Sequence, residues 1–220
     1  MDLTPVHAGN TYPITTKATV GCMTEARASH FRPGTESLDA DEIRVTILGS
    51  GGPWVTNAQA SGSVLVEVGN AEHDVLVFDL GSGSLANFSG LQVPVTSLNK
   101  VFFSHLHADH IADYLTLMGS YVKSGRIDPV EVWGGASDVP GHGAAEFVEL
   151  VQRALAWDHA SIQGNIRQAA TGSQAIATEV PYDRTEVVYD RNGVTVTSFP
   201  VIHGLNGAVG YRIEYAGQSV

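Results

Sequence analysis

Residues 100–110 read KVFFSHLHADH, and this stretch decides the fold. Val101, Phe102 and Phe103 form a short apolar run of strand character. Directly after it come His105, His107, Asp109 and His110, four ligand-type side chains in six positions. On an extended backbone residues two apart project to the same side, so the imidazoles of His105 and His107 can grip one metal ion together. Asp109 and His110 fall where strand gives way to helix, which turns them toward a second position nearby. Imidazole and carboxylate suit Zn²⁺, with Fe and Mn as alternatives.

Downstream of this cluster Ile111, Tyr114, Leu115, Met118 and Val122 recur at helical spacing, predicting an amphipathic helix over 110–123. Upstream, 42–48 (EIRVTIL), 63–68 (SVLVEV) and 74–79 (DVLVFD) alternate or carry β-branched residues and read as antiparallel strands. The glycines at 49, 51 and 52 lack the Gly-Lys-Thr of a phosphate cradle and read as a tight turn, beside which Trp54 is either a pocket wall or a core aromatic. Beyond the cluster, 130–133 (VEVW) is a strand and 144–157 a second helix, followed by a vaguer stretch to about 178. Residues 186–189 and 194–198 flank the turn Arg191-Asn192-Gly193 and read as a hairpin, with 210–215 (GYRIEY) another strand. Strands that alternate with helices and also form hairpins make a mixed α/β layered domain over 41–220.

Residues 1–40 show no sustained periodicity and lack the basic start and apolar run of a secretory signal, so they read as a flexible tail or one draped over the domain. Its histidines, His7 and His30, read as solvated. The single cysteine, Cys22, excludes an intramolecular disulfide framework and any multi-thiolate zinc finger. No apolar run is long enough for a membrane span, and the expected location is cytoplasmic. With 12 basic and 23 acidic residues the net charge is −11, which argues against a general nucleic-acid binder.

The 105–110 cluster resembles the HxHxDH signature of the metallo-β-lactamase superfamily, and two further segments agree with it. FDLGSG at 78–83 resembles the strand-end element that precedes the metal motif there, which implies that Asp79 supports the metal loop. FPVIHGLNGAVGYRIEY at 199–215 resembles the third-histidine segment of the ribonuclease Z and arylsulfatase-like branch, implying His203 as a ligand of the first ion. Position supports His203 separately: it ends the apolar run 194–202 and precedes Gly204, in a strand-end loop where a sheet can hold a ligand over a cleft. The resemblance covers roughly residues 43–220 and implies a four-layer αββα sandwich. It assigns His105, His107 and His203 to one zinc ion, and Asp109 and His110 to a second. Asp109 is then also the proton acceptor for a metal-activated water.

The family pattern also asks for a bridging aspartate and a last histidine beyond the GYRIEY strand, where this sequence stops at Gln218-Ser219-Val220. The second half of the sandwich is therefore expected to be incomplete, as in a fragment, and the chain alone to be poorly active. The leading expectation is a zinc-dependent hydrolase of a small-molecule phosphodiester or sulfate ester. The alternative is a ribonuclease Z-like enzyme trimming tRNA 3′ ends, against which stand the acidic balance and a 53–61 segment, PWVTNAQAS, without that family's PxKxRN loop. A third reading is a non-catalytic metal-binding fragment. His142 and His159 are candidates for the substrate entrance, and the second helix or an open sheet edge for a homodimer contact.

Overall fold

The computed structural model describes residues 37–91, 93–162 and 171–220. Nearly all of the expected tail, with His7, His30 and Cys22, lies outside the described residues.

Two sheets carry the fold. The first has six strands in spatial order: β1 (Ile43–Gly49), β2 (Ser63–Val68), β3 (Val75–Phe78), β4 (Lys100–Phe103), β5 (Val130–Gly135) and β6 (Ala175–Val180). The first three pair antiparallel, and β3 through β6 pair parallel. The second sheet is antiparallel throughout, with β7 (Glu186–Arg191), β8 (Val194–Pro200), β9 (Val209–Tyr215) and the short β10 (Gln218–Ser219). The helices are α1 (Ser84–Ser89), α2 (Ala108–Ile111), α3 (Tyr114–Lys123), α4 (Ala144–Ala154) and α5 (Ala156–Ile162), with a 3₁₀ turn at Val95–Ser97.

Period-two alternation divides the first sheet between two cores. Leu65, Val77, Val101, Phe103 and Val132 face the helices and pack with Tyr114, Leu117, Met118 and Val148. Val66, Leu76, Phe102 and Trp133 face the second sheet and pack with Tyr189, Val196, Val209 and Ile213. The parallel register sets Phe78 beside Phe102 and Phe102 beside Trp133, and their rings stack at 4.9 and 4.5 Å. Tyr211 of β9 meets this ladder edge-on and donates its hydroxyl to the Phe103 carbonyl at 2.9 Å. The ladder thus locks the second sheet onto the strand that leads into the histidine cluster. Among the described residues the order is helices, six-stranded sheet, four-stranded sheet. The inter-sheet core contains no helix residue.

Two helical expectations differ in detail. The helix expected over 110–123 is two, α2 and α3, because Asp113 is held from outside the helix. Its backbone N–H donates to the Leu80 carbonyl (2.9 Å) and its carboxylate accepts from the Leu85 N–H (2.8 Å). The helix expected over 144–157 likewise ends at Ala154 and restarts as α5. No helix of the described residues is long and apolar enough to cross a membrane.

Candidate metal centre

The parallel strands β3, β4 and β5 end at one edge of the sheet, and the loops leaving them build the site, as at the carboxyl ends of strands in other α/β folds. Asp79 follows β3, Ser104 to His110 follow β4, and Gly135 closes β5. The β8–β9 loop brings His203 across from the second sheet.

Asp79 anchors the cluster. It is buried and sits in the left-handed region at φ 61°, which an aspartate tolerates better than most residues. Its Oδ1 accepts from the Ser104 N–H at 2.8 Å, while Oδ2 accepts from the Ser104 hydroxyl at 2.6 Å and from His110 Nδ1 at 2.7 Å. These contacts fix tautomers. The Ser104 hydroxyl spends its one proton on Asp79, so it accepts from His105 Nδ1 at 3.0 Å, and the lone pair of His105 lies on Nε2. His110 donates through Nδ1 in the same way, and its Nε2 lies 3.5 Å from the Asp109 carboxylate.

Three imidazole nitrogens then converge. His107 Nδ1 lies 3.0 Å from His105 Nε2 and 3.2 Å from His203 Nε2, and all three ligand atoms fall within 4.8 Å of one another. A tetrahedral zinc with bonds of 2.0–2.1 Å needs nitrogens about 3.3 Å apart. The donor set fits such an ion in type, and the separations of 3.0 and 3.2 Å about His107 fit it in spacing. Asp109 and His110 stand beside this trio as a separate pair, so the structure brings all five residues to one place but in two groups. Burial above all, with repulsion from His110, pushes His105 down from 6.5 to about 4, leaving a neutral imidazole to donate its lone pair. The hydrogen bond to Asp79 raises His110 above the usual histidine value, against the opposing effect of burial.

The loop that carries His203 is pinned at two points. Val209 N–H donates to the Ser104 carbonyl at 2.8 Å, and Asn206 donates to Asp138 at 2.9 Å. A Cβ on Gly135 would stand 1.7 Å from the Gly207 carbonyl oxygen, so the loop lies against the end of β5 where only glycine leaves room. A cleft of about 310 Å³ opens from the three histidines. His142 lines it, with Leu106, Phe147 and Leu205. Trp54 and His159 do not: Trp54 stands 84% exposed in the 51–61 loop, and His159 lies on α5, away from the cleft lining.

Ser104 was missed from the sequence as a site residue. Its signal was available, a hydroxyl between the apolar strand and the first histidine, but its meaning depends on Asp79 in the neighbouring strand.

No family model matches the chain. A ribonuclease Z from Mycobacterium avium is 31% identical over 180 residues, covering 81% of this chain and 61% of that protein. The chain thus spans about three fifths of the length of the curated relatives it matches. Among solved structures, the short form of human tRNase Z superposes with TM-score 0.61 at 18% identity, covering 80% of this chain and 66% of that one. A metallo-β-lactamase fold protein from Bacillus subtilis superposes with TM-score 0.55 at 21% identity, covering 80% and 61%. Two sheets under a helical layer are thus shared with proteins whose sequences have otherwise diverged. The chain has the metallo-β-lactamase fold, and its sequence is related to that of proteins named ribonuclease Z.

Proposed function

We propose that the chain is a zinc-dependent phosphodiester hydrolase of the ribonuclease Z type, acting on the 3′ ends of tRNA precursors. The observation that carries this reading is the convergence of His105, His107 and His203, from two distant stretches, with ligand nitrogens close enough to share one ion. The relatives favour the alternative over the leading expectation from sequence: those compared are named ribonuclease Z, which supports tRNA processing rather than a small-molecule ester. The acidic balance favours recognition of an RNA end at the cleft over a long phosphate-contact surface.

In this reading His105, His107 and His203 hold the first ion, and Asp109 and His110 reach a second. Zinc bound there would supply a Lewis acid and lower the pKa of a water molecule to roughly 7. Asp109 would be the proton acceptor beside it. Asp79 and Ser104 keep His105 and His110 in the tautomers that leave Nε2 free. The apolar cleft beside the trio limits bulk water around the scissile bond.

The test is incubation of the zinc-loaded protein with a tRNA precursor carrying a 3′ trailer, beside p-nitrophenyl sulfate and bis(p-nitrophenyl) phosphate. Removal of the trailer, lost together with bound zinc in His203→Ala, supports the reading. Sulfate ester hydrolysis with the precursor left intact refutes it. Stoichiometric zinc without turnover of any substrate marks a metal-binding remnant.

A further inference from the structure

The cleft has a composition that metal chemistry does not require. At about 310 Å³ it lies at the low end of ligand-site volumes and admits one nucleoside-sized group, not a folded RNA end. Leu106, Ile111, Phe147, Leu150 and Leu205 give it apolar walls continuous with the three histidines. Phe147 is braced edge-to-face by Phe103 and tilted against Tyr114, so its ring is a fixed surface.

His142 brings a directed polar group into this lining. Its Nδ1 lies 3.0 Å from the Pro140 carbonyl. A carbonyl only accepts, so Nδ1 carries the proton, and in the neutral ring Nε2 is left as an acceptor. The loop is organised on both sides. Val139 N–H donates to Ser137 Oγ at 3.1 Å, and His142 N–H donates to the Val139 carbonyl at 3.2 Å. Glu179 caps the start of α4 at the Ala145 N–H (3.1 Å) and fills the space where Gly143 would carry a Cβ. That carboxylate also occupies the helix start, and the other polar side chains of the lining outside the histidine trio are engaged elsewhere, Ser137 by the Val139 N–H and Asn206 by Asp138.

We infer that the cleft receives the single nucleobase next to the scissile bond, held flat between apolar side chains, with His142 Nε2 accepting a hydrogen bond from an N–H on the base edge. The inference rests on the nucleolytic reading of the site and adds a specificity determinant to it. Stacking against apolar and aromatic walls tolerates any base, so discrimination falls to a directed acceptor, the role assigned to His142.

Binding tests this without turnover. The zinc-loaded protein is titrated at pH 8 with AMP and with purine riboside monophosphate, the same nucleotide without its amine. CMP and its analogue lacking the 4-amine form a second pair. Loss of the amine should weaken binding about fivefold, the worth of one hydrogen bond. His142→Ala should bring each ratio close to one, and His142→Gln, which retains an acceptor, should restore part of it. Metal analysis and far-UV circular dichroism confirm that each variant is folded and loaded. Equal affinity within each pair in the unaltered protein, an unchanged ratio in His142→Ala, or no nucleotide binding overturns the inference. So does tighter binding of p-nitrophenyl phosphate that is indifferent to His142. Failure of precursor cleavage with the amine preference intact counts against the tRNA reading and leaves this one standing. Cleavage without the preference does the reverse.

Discussion

Asp79 shows how much of the site one residue organises. Its carboxylate holds His110 directly and His105 through Ser104, and all three hydrogen bonds it accepts come from the loop that carries the histidines. Asp79→Asn preserves shape and tolerates the positive φ, but one of its two termini becomes a donor. That amide would face either the Ser104 N–H or the protons of Ser104 and His110. The expected result is a 10- to 100-fold loss of zinc affinity, the usual cost of removing a partner that orients a ligand. Chelator competition measures it, and unchanged affinity would contradict the anchoring role. Titration of the zinc-free protein, followed by imidazole NMR, is a second check. His105 should titrate near 4 and His110 above 6.5, with His110 moving down in Asp79→Asn. The signs for stability oppose each other. Between 6.5 and about 4 the unfolded chain binds a proton that His105 refuses, so the zinc-free fold loses stability as pH falls through that window. The contribution of His110 is complete below 6.5 and disappears as pH rises through its raised value.

At the scale of elements, the contact between β5 and the β8–β9 loop is what brings His203 to its partners. Gly135→Ala puts a methyl where the Gly207 carbonyl lies, and the loop must move by more than an ångström. Zinc affinity should fall at least about tenfold, since ligand geometry tolerates roughly 0.5 Å. Stability should fall much less, because the two cores do not depend on that loop. Zinc titration and thermal unfolding of the same variant separate the two effects; equal zinc binding would show that the loop adapts. This contact also marks the limit of what the sequence reveals. The HxHxDH cluster is local, so its spacing carries its meaning, and His203 is legible through the resemblance of 199–215 to a third-histidine segment, with an apolar run leading up to it. The six-residue β6, AIATEV, carries two alanines, is half exposed on an edge and gave no strand signal; only pairing with β5 makes it one. Short α1 (SLANFS) went unread for the same reason, since six residues show too little periodicity. Ser104, Gly135 and Gly207 act through neighbours in space that lie dozens of residues away in the chain, and no local pattern records that.

Across the whole molecule, the end of the sheet opposite the metal loops has its own polar knot, and the two ends should be separable. Asp74 lies buried just before β3, with Lys100 Nζ at 2.7 Å from the start of β4. Asn70 (2.8 Å) and Asn192 (2.9 Å), the latter from the β7–β8 turn, donate to the other carboxylate oxygen. One carboxylate therefore ties two strands of the first sheet to a turn of the second. Burial would raise the Asp74 carboxyl, but the hydrogen bonds from Lys100, Asn192 and Asn70 outweigh it and hold it below the usual carboxylate value. Asp74→Asn leaves Lys100 without its counter-charge at low exposure, a loss of about 3 kcal/mol at neutral pH, the lower end for breaking a buried pair. A group with a depressed folded pKa stabilises above its unfolded value and loses that contribution as pH falls through its folded value. The gap between the two proteins in urea denaturation should thus be full at pH 7 and close steadily below about pH 4. Zinc affinity should be the same in both, because no residue of this knot touches the loops that end β3, β4 or β5. A fall in zinc affinity alongside stability would mean that the parallel strands transmit displacement along their length. The cores on either side of Phe102 would then act as a lever between the two ends, and the metal site could no longer be treated as a rigid feature of one sheet edge.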